Sequence, residues 1–202
     1  MIDNALNFIR EVAEGYASKL LPDASGEKKV VLTAFADDSG KTKIPAEAVG
    51  LSLLNIEQER TFIARGMGQI EPQTTSTPGQ ISFVHRPVDL NLQLMFTANF
   101  SNYQESLKHI ACIVQCFQSN PQLLLPCAQP GLPEMQLVME LNTLPLEQQH
   151  YIWSMIGLRY LPSVVYRMRM LRIQDSNKQI VEPAVQRFSV QNNGQNRAGG
   201  VS

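Results

Sequence analysis

Apolar and polar residues alternate along residues 88–96, where the sequence reads VDLNLQLMF. Successive side chains of a β-strand point to opposite faces, so a period of two predicts a strand with one apolar face. Such a strand is stable only when neighbouring strands and a covering layer bury that face. Hydrophobic residues make up 44% of the 202-residue chain. That share is enough to supply both layers, and we therefore expect a fold built on a β-sheet.

Three segments carry apolar residues at helical spacing and are predicted to cover the sheet. The first spans residues 2–20. The second begins at a cap, Ser101 or Asn102, and the third begins with Thr143 as its N-cap and fades at Gly157. The apolar stripe of the second helix is expected to comprise Tyr103, Leu107, Ile110, Ala111, Val114 and Phe117.

Apolar and β-branched runs predict the remaining strands. They are residues 30–35, 49–56, 135–141 and 164–173. Residues 121–133 hold four prolines and a glycine, which predicts a shaped loop. The order of elements indicates an α+β fold with a mostly antiparallel sheet covered by helices, followed by an extended C-terminal tail.

Two segments differ in composition from the predicted domain of residues 1–174. Residues 61–86 are polar and rich in glycine and proline, which predicts a long loop or a flexible hairpin whose returning strand is residues 81–85. Residues 175–202 are rich in Asn, Gln and Gly. They are predicted to form a flexible tail, or a strand at residues 185–190 when a partner is present.

The sequence contains no catalytic or metal-binding motif. His85, His109 and His150 lie in no frame with a known mechanism and are interpreted as surface or helix-edge residues. The three cysteines, Cys112, Cys116 and Cys127, lack the further ligands of a zinc site, and the first two are interpreted as buried structural thiols of a cytosolic protein. We therefore predict no enzyme activity, no bound metal and no cofactor.

Charge and hydropathy exclude two classes of partner. The formal net charge is −1, which provides no general attraction for nucleic acid. No apolar stretch is long enough to span a bilayer. We therefore expect no nucleic-acid partner and no stable membrane insertion.

Charged residues cluster at the end of the second predicted strand. Glu57 and Glu59 are two apart and share a face, and Arg60 follows them. The cluster is either a solvated strand end, a subunit contact or, less favoured, an acid–base pair. Arg167 and Arg169 likewise share one face of the last predicted strand, which could meet a partner.

Three blocks together resemble a known family. They are LSLLNIEQER at 51–60, RPVDLNLQLMFTANFSNYQESLKHI at 86–110 and YIWSMIGLRYLPSVVYRMRML at 151–171, and the N-terminal MIDNALNFI fits as well. This combination resembles the cap, or tail-terminator, proteins of contractile injection systems, which are phage-tail-like particles with an inner tube and a contractile sheath. The resemblance covers most of residues 1–174.

The resemblance implies a homohexameric ring on the last layer of tube and sheath. Its partners would be further copies of this chain, the inner tube protein and the sheath protein, in a cytoplasmic assembly belonging to a particle that is either released or membrane-anchored. Expected tube or neighbour contacts are Glu57, Glu59, Arg60, Arg65, Gln69 and His85. Expected sheath contacts are Val185, Arg187, Phe188 and Val190, through addition of a strand.

Two other classes of function stay open at this stage. One is a non-catalytic adaptor that binds a peptide at a sheet edge. The other is an enzyme with a shallow site near Glu57 and Glu59.

Overall fold

The structure is a computed structural model that describes residues 2–21, 29–37, 39–59, 70–74, 80–85, 88–126, 135–173 and 179–183. The backbone alone is described for 70–74, 80–85, 88, 170–173 and 179–183. In chain order, the elements are α1 (Ile2–Leu20), β1 (Val30–Leu32), β2 (Ala48–Gln58), β3 (Ile70–Thr74), β4 (Gln80–His85), β5 (Val88–Asn99), α2 (Tyr103–Ser119), β6 (Gln122–Leu125), β7 (Met135–Leu141), α3 (Leu146–Ile156), β8 (Ser163–Ile173) and β9 (Gln179–Pro183).

A six-stranded sheet in the order β1-β2-β5-β8-β7-β6 forms the larger of two compact units. The β1–β2 pair is parallel, and the other four neighbouring pairs are antiparallel. The strand predicted from the alternating sequence, β5, lies between β2 and β8 near the middle of this sheet. The predicted class, an α+β fold with a mostly antiparallel sheet covered by helices, is confirmed.

The first face of the sheet packs against α1 and α2. Leu94 and Phe96 of β5 and Tyr166 of β8 are buried here. Phe117 of α2 lies with its ring centroid 5.6 Å from that of Phe96 and 5.2 Å from that of Tyr166. These rings make edge-on or tilted contacts, the geometries that aromatic pairs favour, and they form the centre of the main core.

The second face of the sheet carries a smaller core under α3. Met95 and Val165 are opposite each other on β5 and β8 and pack against Trp153 of α3. Trp153 is the buried residue of α3, which ends at Gly157, where φ is 73°. Glycine adopts this left-handed conformation without the steric cost that a Cβ imposes. α3 is therefore held on the sheet mainly through one large side chain.

Three details differ from the sequence-based expectations. Residues 121–133 were expected to be a loop, but residues 122–125 form the edge strand β6. Pro121 and Pro126 flank this strand, and an edge strand tolerates proline. The predicted strand 30–35 ends at Leu32. Pro145, and not Thr143, is the N-cap residue of α3, and it makes no side-chain capping bond.

The buried face of α2 is also rotated from the predicted stripe. Tyr103 and Leu107 are 62% and 45% exposed, and Ala111 is exposed as well. The helix instead buries Ser106, His109, Cys112, Ile113, Cys116 and Phe117. Burial of Cys112 and Cys116 was predicted, whereas a hydrophobicity pattern does not identify Ser106 and His109 as core residues.

The second unit contains the three-stranded sheet β3-β4-β9. β3 and β4 are an antiparallel pair within the segment 61–86, so a hairpin is present there, and residues 81–85 belong to its returning strand. β9 pairs antiparallel with β4, from Gln80 opposite Pro183 to Val84 opposite Gln179.

Candidate interaction surfaces

A polar band crosses the second face of the six-stranded sheet, beside the part that α3 covers. It consists of Glu57, Asn91, Gln93, Glu140, Arg167 and Arg169. The strand register places Glu57 opposite Asn91, Gln93 opposite Arg167, and Arg167 opposite Glu140. Four neighbouring strands thus contribute acidic, amide, basic and acidic side chains, in that order, to one surface.

A β-bulge brings Glu57 to this face. The register of β2 against β5 shifts between Leu53 and Asn55. Leu53 lies opposite Leu94 on the first face, and the extra residue turns Asn55 and Glu57 to the second face. Without the bulge, Glu57 would share the face of Leu53 and point into the apolar core, because side chains alternate along a strand.

Amide side chains of β5 hold both carboxylates that the sequence singled out. Gln93 Nε2 donates a hydrogen bond to Glu57 Oε1 at 2.5 Å, and Asn91 Nδ2 donates one to Glu59 Oε2 at 2.7 Å. Glu57 and Glu59 therefore lie on one surface, as predicted. Each carboxylate is paired with a neutral amide, an arrangement that positions it as an acceptor.

The arginines of the polar band are only partly paired. Arg167 Nη2 lies 3.9 Å from Glu57 Oε2, and Arg169 Nε lies 3.1 Å from Glu140 Oε2. The four side chains are 35–43% exposed, so each pair contributes at most about 1 kcal/mol to stability. Among the described residues, neither Arg167 Nε nor Arg169 Nε makes a well-oriented hydrogen bond. The distance from Arg169 Nε to Glu140 Oε2 is nevertheless short enough for an ion pair. Because both Nε atoms are buried, only the exposed parts of the two guanidinium groups can meet a partner.

A second surface is apolar and lies on the outward side of α3. Tyr151 and Met155 are four residues apart, point away from Trp153, and are 71% and 74% exposed. Leu146 at the start of the helix is also exposed, whereas Tyr160 just beyond its end packs its ring edge-on against Trp153 at 5.5 Å. We call this surface the α3 ridge. This surface was not predicted from the sequence, although the residues opposite Trp153 on a helical projection are apolar where solvent-facing positions are usually polar.

A groove lies at the start of α1 beside the end of β1. It has a volume of about 530 Å³ and is lined by the apolar residues Ile2, Leu6, Leu32, Phe35 and Leu53. We call it the α1–β1 groove. A smaller cavity of about 210 Å³ lies beside Trp153, below the roughly 300 Å³ at which pockets for small-molecule ligands begin.

The thiols of α2 are buried and unreactive in character, as predicted. Burial raises the pKa of the Cys112 thiol, and burial together with Cys112 raises the pKa of Cys116 to about 11. Burial also raises the pKa of Tyr166, to about 12. His109, expected at the surface or helix edge, is instead buried, and its ring stacks on Phe100 at 4.2 Å.

The other predicted contact residues cannot be compared with the structure. Arg60, Arg65 and Gln69 lie outside the described residues, as do Cys127 and the whole segment 184–202 with Val185, Arg187, Phe188 and Val190. His85 ends β4, but its side chain is not described.

The described residues form neither a metal centre nor a membrane-spanning helix. Across the part of the chain that the structure describes, no group of three or more His, Cys, Asp or Glu residues is arranged to hold a metal ion. None of the described helices is long and apolar enough to cross a membrane.

The fold is that of proteins that terminate the tubes of contractile injection systems. The chain is similar to the PVC sheath/tube terminator of an extracellular contractile injection system in its extended state, with a TM-score of 0.61 and 14% identity over 100% of this chain and 65% of that one. It is also similar to the tube-terminating cap of the anti-feeding prophage, with a TM-score of 0.52 and 15% identity over 93% of this chain and 59% of that one. The chain thus spans about three fifths of the length of these solved relatives.

Sequence comparison identifies the family itself. The model of the Pvc16 N-terminal domain matches residues 6–187. The chain belongs to the Pvc16 N-terminal domain family, and the resemblance to cap and terminator proteins is confirmed. A search of curated protein sequences gives no match.

Proposed function

We propose that this chain is a structural cap subunit that terminates the inner tube of a contractile injection system. The observation that carries the proposal is the family match over residues 6–187. The similarity in fold to a sheath/tube terminator and to a tube-terminating cap supports it. In this proposal the protein has no catalytic role, binds no cofactor and acts by occupying a site that another tube layer would fill.

Six copies form a closed ring in this proposal. Identical subunits that contact one another through two different surfaces form a ring if the rotation from one subunit to the next closes, as it does in this proposal. One side of the ring must complement the tube protein, and the other must lack what a tube subunit offers to the next layer. The ring therefore ends elongation. In this proposal it is part of a cytoplasmic assembly whose particle is either released or membrane-anchored.

The polar band is the proposed contact with the tube protein. It presents carboxylates and partly exposed guanidinium groups on one sheet face. Glu57 and Glu59, already fixed by amides, offer further acceptors for donors of the partner. Arg60, Arg65, Gln69 and His85 stay predicted contacts with the tube protein or a neighbouring copy.

Sheath anchoring is assigned in this proposal to the tail, with Val185, Arg187, Phe188 and Val190 adding a strand to a sheath subunit. Because β9 ends at Pro183 and pairs with β4, a test of the tail should remove residues 184–202 only. The shortened protein should keep its end position on tubes and lose the sheath. Retention of sheath at full occupancy would exclude this part of the proposal.

Imaging of particles tests the central claim. In cells that make the particle without this protein, tube length should become variable, and complementation with the gold-labelled chain should restore a narrow length distribution with label at one end. Unchanged length together with unlabelled ends would show that the chain is not the cap.

A second candidate function is an adaptor that binds a peptide at a sheet edge. The observation that favours it is β6, an outer strand that carries no charge and has Leu124 59% exposed. If the chain is an adaptor, the variant Leu124→Lys should abolish its binding of peptide. If the chain is the cap, the same variant should leave the labelling of particle ends unchanged.

A further inference from the structure

We infer that residues 143–161, which carry α3, form a strap that lifts off the sheet as one unit while the rest of the six-stranded sheet stays folded. Both ends of the strap are fixed by backbone hydrogen bonds. Just before it, Asn142 N donates to Val165 O at 2.9 Å, and just after it Pro162 O accepts from Ala98 N at 2.9 Å. These two anchors set the bounds of the moving segment.

Between the anchors, side-chain packing alone holds the strap. Among the described residues, no hydrogen bond or ion pair joins residues 143–161 to a part of the chain outside them. The bonds within the strap are internal, such as that from Gly157 N to Trp153 O at 3.0 Å. No side chain caps the start of the 11-residue α3, and an isolated helix of this length is marginal in water. The helix therefore depends on its contact with the sheet.

That contact is thin and imperfectly packed. Within α3, only Trp153 is buried, whereas the 17-residue α2 buries Ser106, His109, Cys112, Ile113, Cys116 and Phe117. A cavity of about 210 Å³ lies between the strap and the sheet, where it is lined by Ile152 on one side and by Met95 and Val165 on the other. The side chains around a void lack contact atoms on that side, so the attraction between strap and sheet is reduced.

Two buried polar atoms near the cavity add to this weakness. Trp153 Nε1 and Thr97 Oγ1 are inaccessible to solvent and make no hydrogen bond among the described residues. Thr97 lies opposite Ser163, which lines the cavity. A buried polar group without a partner is less stable than the same group in water. Opening of the strap lets water reach the indole N–H, which offsets part of the apolar contact that is lost.

An open strap enlarges the surface that carries the polar band. Met95 and Val165 lie opposite each other on β5 and β8, two residues from the opposed pair Gln93 and Arg167, so both pairs share the second face. Under the closed strap, Met95 and Val165 are 1% and 8% exposed. Their exposure adds an apolar patch beside the polar band. Use of this patch by the tube protein rests on the proposed function, whereas the opening itself does not.

A thiol introduced under the strap measures the opening. Val165 packs against Trp153, and Val165→Cys in a Cys127→Ser background places a thiol of similar size there. The buried Cys112 and Cys116 report opening of the main core in the same molecule. Iodoacetamide at pH 8 should label the introduced thiol of the full chain at least about 100-fold faster than either thiol of α2. Equal rates in a variant that circular dichroism shows to be folded would overturn the inference.

Two glycine variants separate opening from direct access to the thiol. Gly157 ends α3 with a φ of 73°, and Gly40, in a turn outside the strap, has a φ of 75°; an added Cβ meets no atom within 4 Å at either position. Alanine is strained in this conformation, so Gly157→Ala should destabilise the closed strap and raise the labelling rate at least about fivefold. Gly40→Ala should leave the rate unchanged. An unchanged rate in Gly157→Ala as well would mean that the reagent reaches the thiol without opening, and would reject the strap.

Hydrogen exchange of the wild-type chain tests the same opening without an added thiol. In urea below the main transition, the amides of residues 150–156 should exchange together, with protection at least about 100-fold below that of α2. Equal protection of the two helices would overturn the inference. Fast exchange at the ends of α3 alone would do the same, because that is fraying and not opening of a unit. Since no particle is present, these results leave the cap function to be judged by end labelling.

Particle ends show whether the tube contact uses the patch. A larger open fraction raises the apparent affinity for a partner of the open form by the same factor. At limiting amounts of labelled chain, Gly157→Ala should therefore raise end occupancy up to about fivefold over Gly40→Ala. Equal occupancy would remove the patch from the contact and leave the opening standing. Unlabelled ends with both variants and with wild type would reject the cap function instead.

Discussion

Glu47 binds Ser101 across 54 residues of sequence, accepting hydrogen bonds from its backbone amide at 2.9 Å and from its hydroxyl at 2.5 Å. The backbone of Glu47 has a φ of 57°, a conformation that residues other than glycine rarely adopt. This contact joins the turn before β2 to the cap region of α2, where the Asn102 side chain accepts a hydrogen bond from the Gln104 amide. One carboxylate thus ties a sheet strand to a helix start.

The Glu47 carboxylate should make stability fall at acid pH. The hydrogen bonds from Ser101 lower its pKa below the ordinary value of 4.5. A lowered folded pKa contributes stability above 4.5, and that contribution is lost as pH falls through the folded value. The variant Glu47→Gln should therefore have a lower urea midpoint than wild type at pH 7, and the difference should shrink by pH 3. Glu147→Gln, at an exposed position, is the control, and an equal effect in both variants would contradict the assignment.

The aromatic centre of the core should be far more sensitive than the surface of α2. Phe96 is fully buried against Phe117 and Tyr166, so Phe96→Ala should reduce the free energy of unfolding by about 3–5 kcal/mol. Tyr103 is 62% exposed, and Tyr103→Ala should change it by no more than about 0.5 kcal/mol. Urea denaturation checks both values. A large effect at Tyr103 would mean that the helix face is assigned wrongly.

Gly50 is required by the close approach of Ile44. A Cβ at position 50 would lie 2.8 Å from Ile44 Cγ1. The variant Gly50→Ala should therefore destabilise the protein by about 1–3 kcal/mol through overpacking. Ile44→Ala removes the obstructing atoms, so adding Gly50→Ala to that background should cost measurably less. Additive effects in the double-mutant cycle would show that the two residues do not collide.

The thiols of α2 should resist alkylation in the folded protein. The pKa of Cys116 is raised to about 11 and that of Cys112 is also raised, so both are protonated at pH 8 and lack solvent contact. In a Cys127→Ser background, iodoacetamide should label them at least about 100-fold more slowly than in urea, since labelling requires opening. Rapid labelling without denaturant would show that α2 is not packed as described.

Arg167 should matter more for a partner than for folding. Its side chain is 35% exposed and its distance to Glu57 is long at 3.9 Å. Arg167→Ala should therefore change the free energy of unfolding by less than about 1 kcal/mol. The same variant should lower the occupancy of particle ends in the labelling experiment. Lys108→Ala, an exposed cation that pairs within α2, is the control, and equal occupancies would remove the polar band from the proposed contact.

The spacing of apolar residues predicts the strands and the helices because, in most of these elements, the apolar positions are the buried ones. The alternation at 88–96 corresponds to β5, and the helical spacing at 2–20 corresponds to α1. Pattern fails where polar residues are buried, as with Ser106 and His109 in α2. It also fails at β6, whose flanking prolines resemble a loop.

The candidate surfaces show a similar division. The shared face of Glu57 and Glu59 is predictable, but the bulge after Leu53 that turns Glu57 out of the core has no sequence signal. The α1–β1 groove joins residues from α1, β1 and β2, so only the folded chain assembles it. The expected contacts in the tail stay predictions.

The position of β8 in the sheet bears on how the protein is made. β8 lies between β5 and β7, so the pair β6–β7 has no link to β5 through the sheet until β8 inserts. A ribosome releases β8 after every other strand of this sheet, and the β5 edge stays open for that time. Slow synthesis between residues 100 and 163 would prolong this state, and a chaperone that shields the β5 edge would have its greatest effect then.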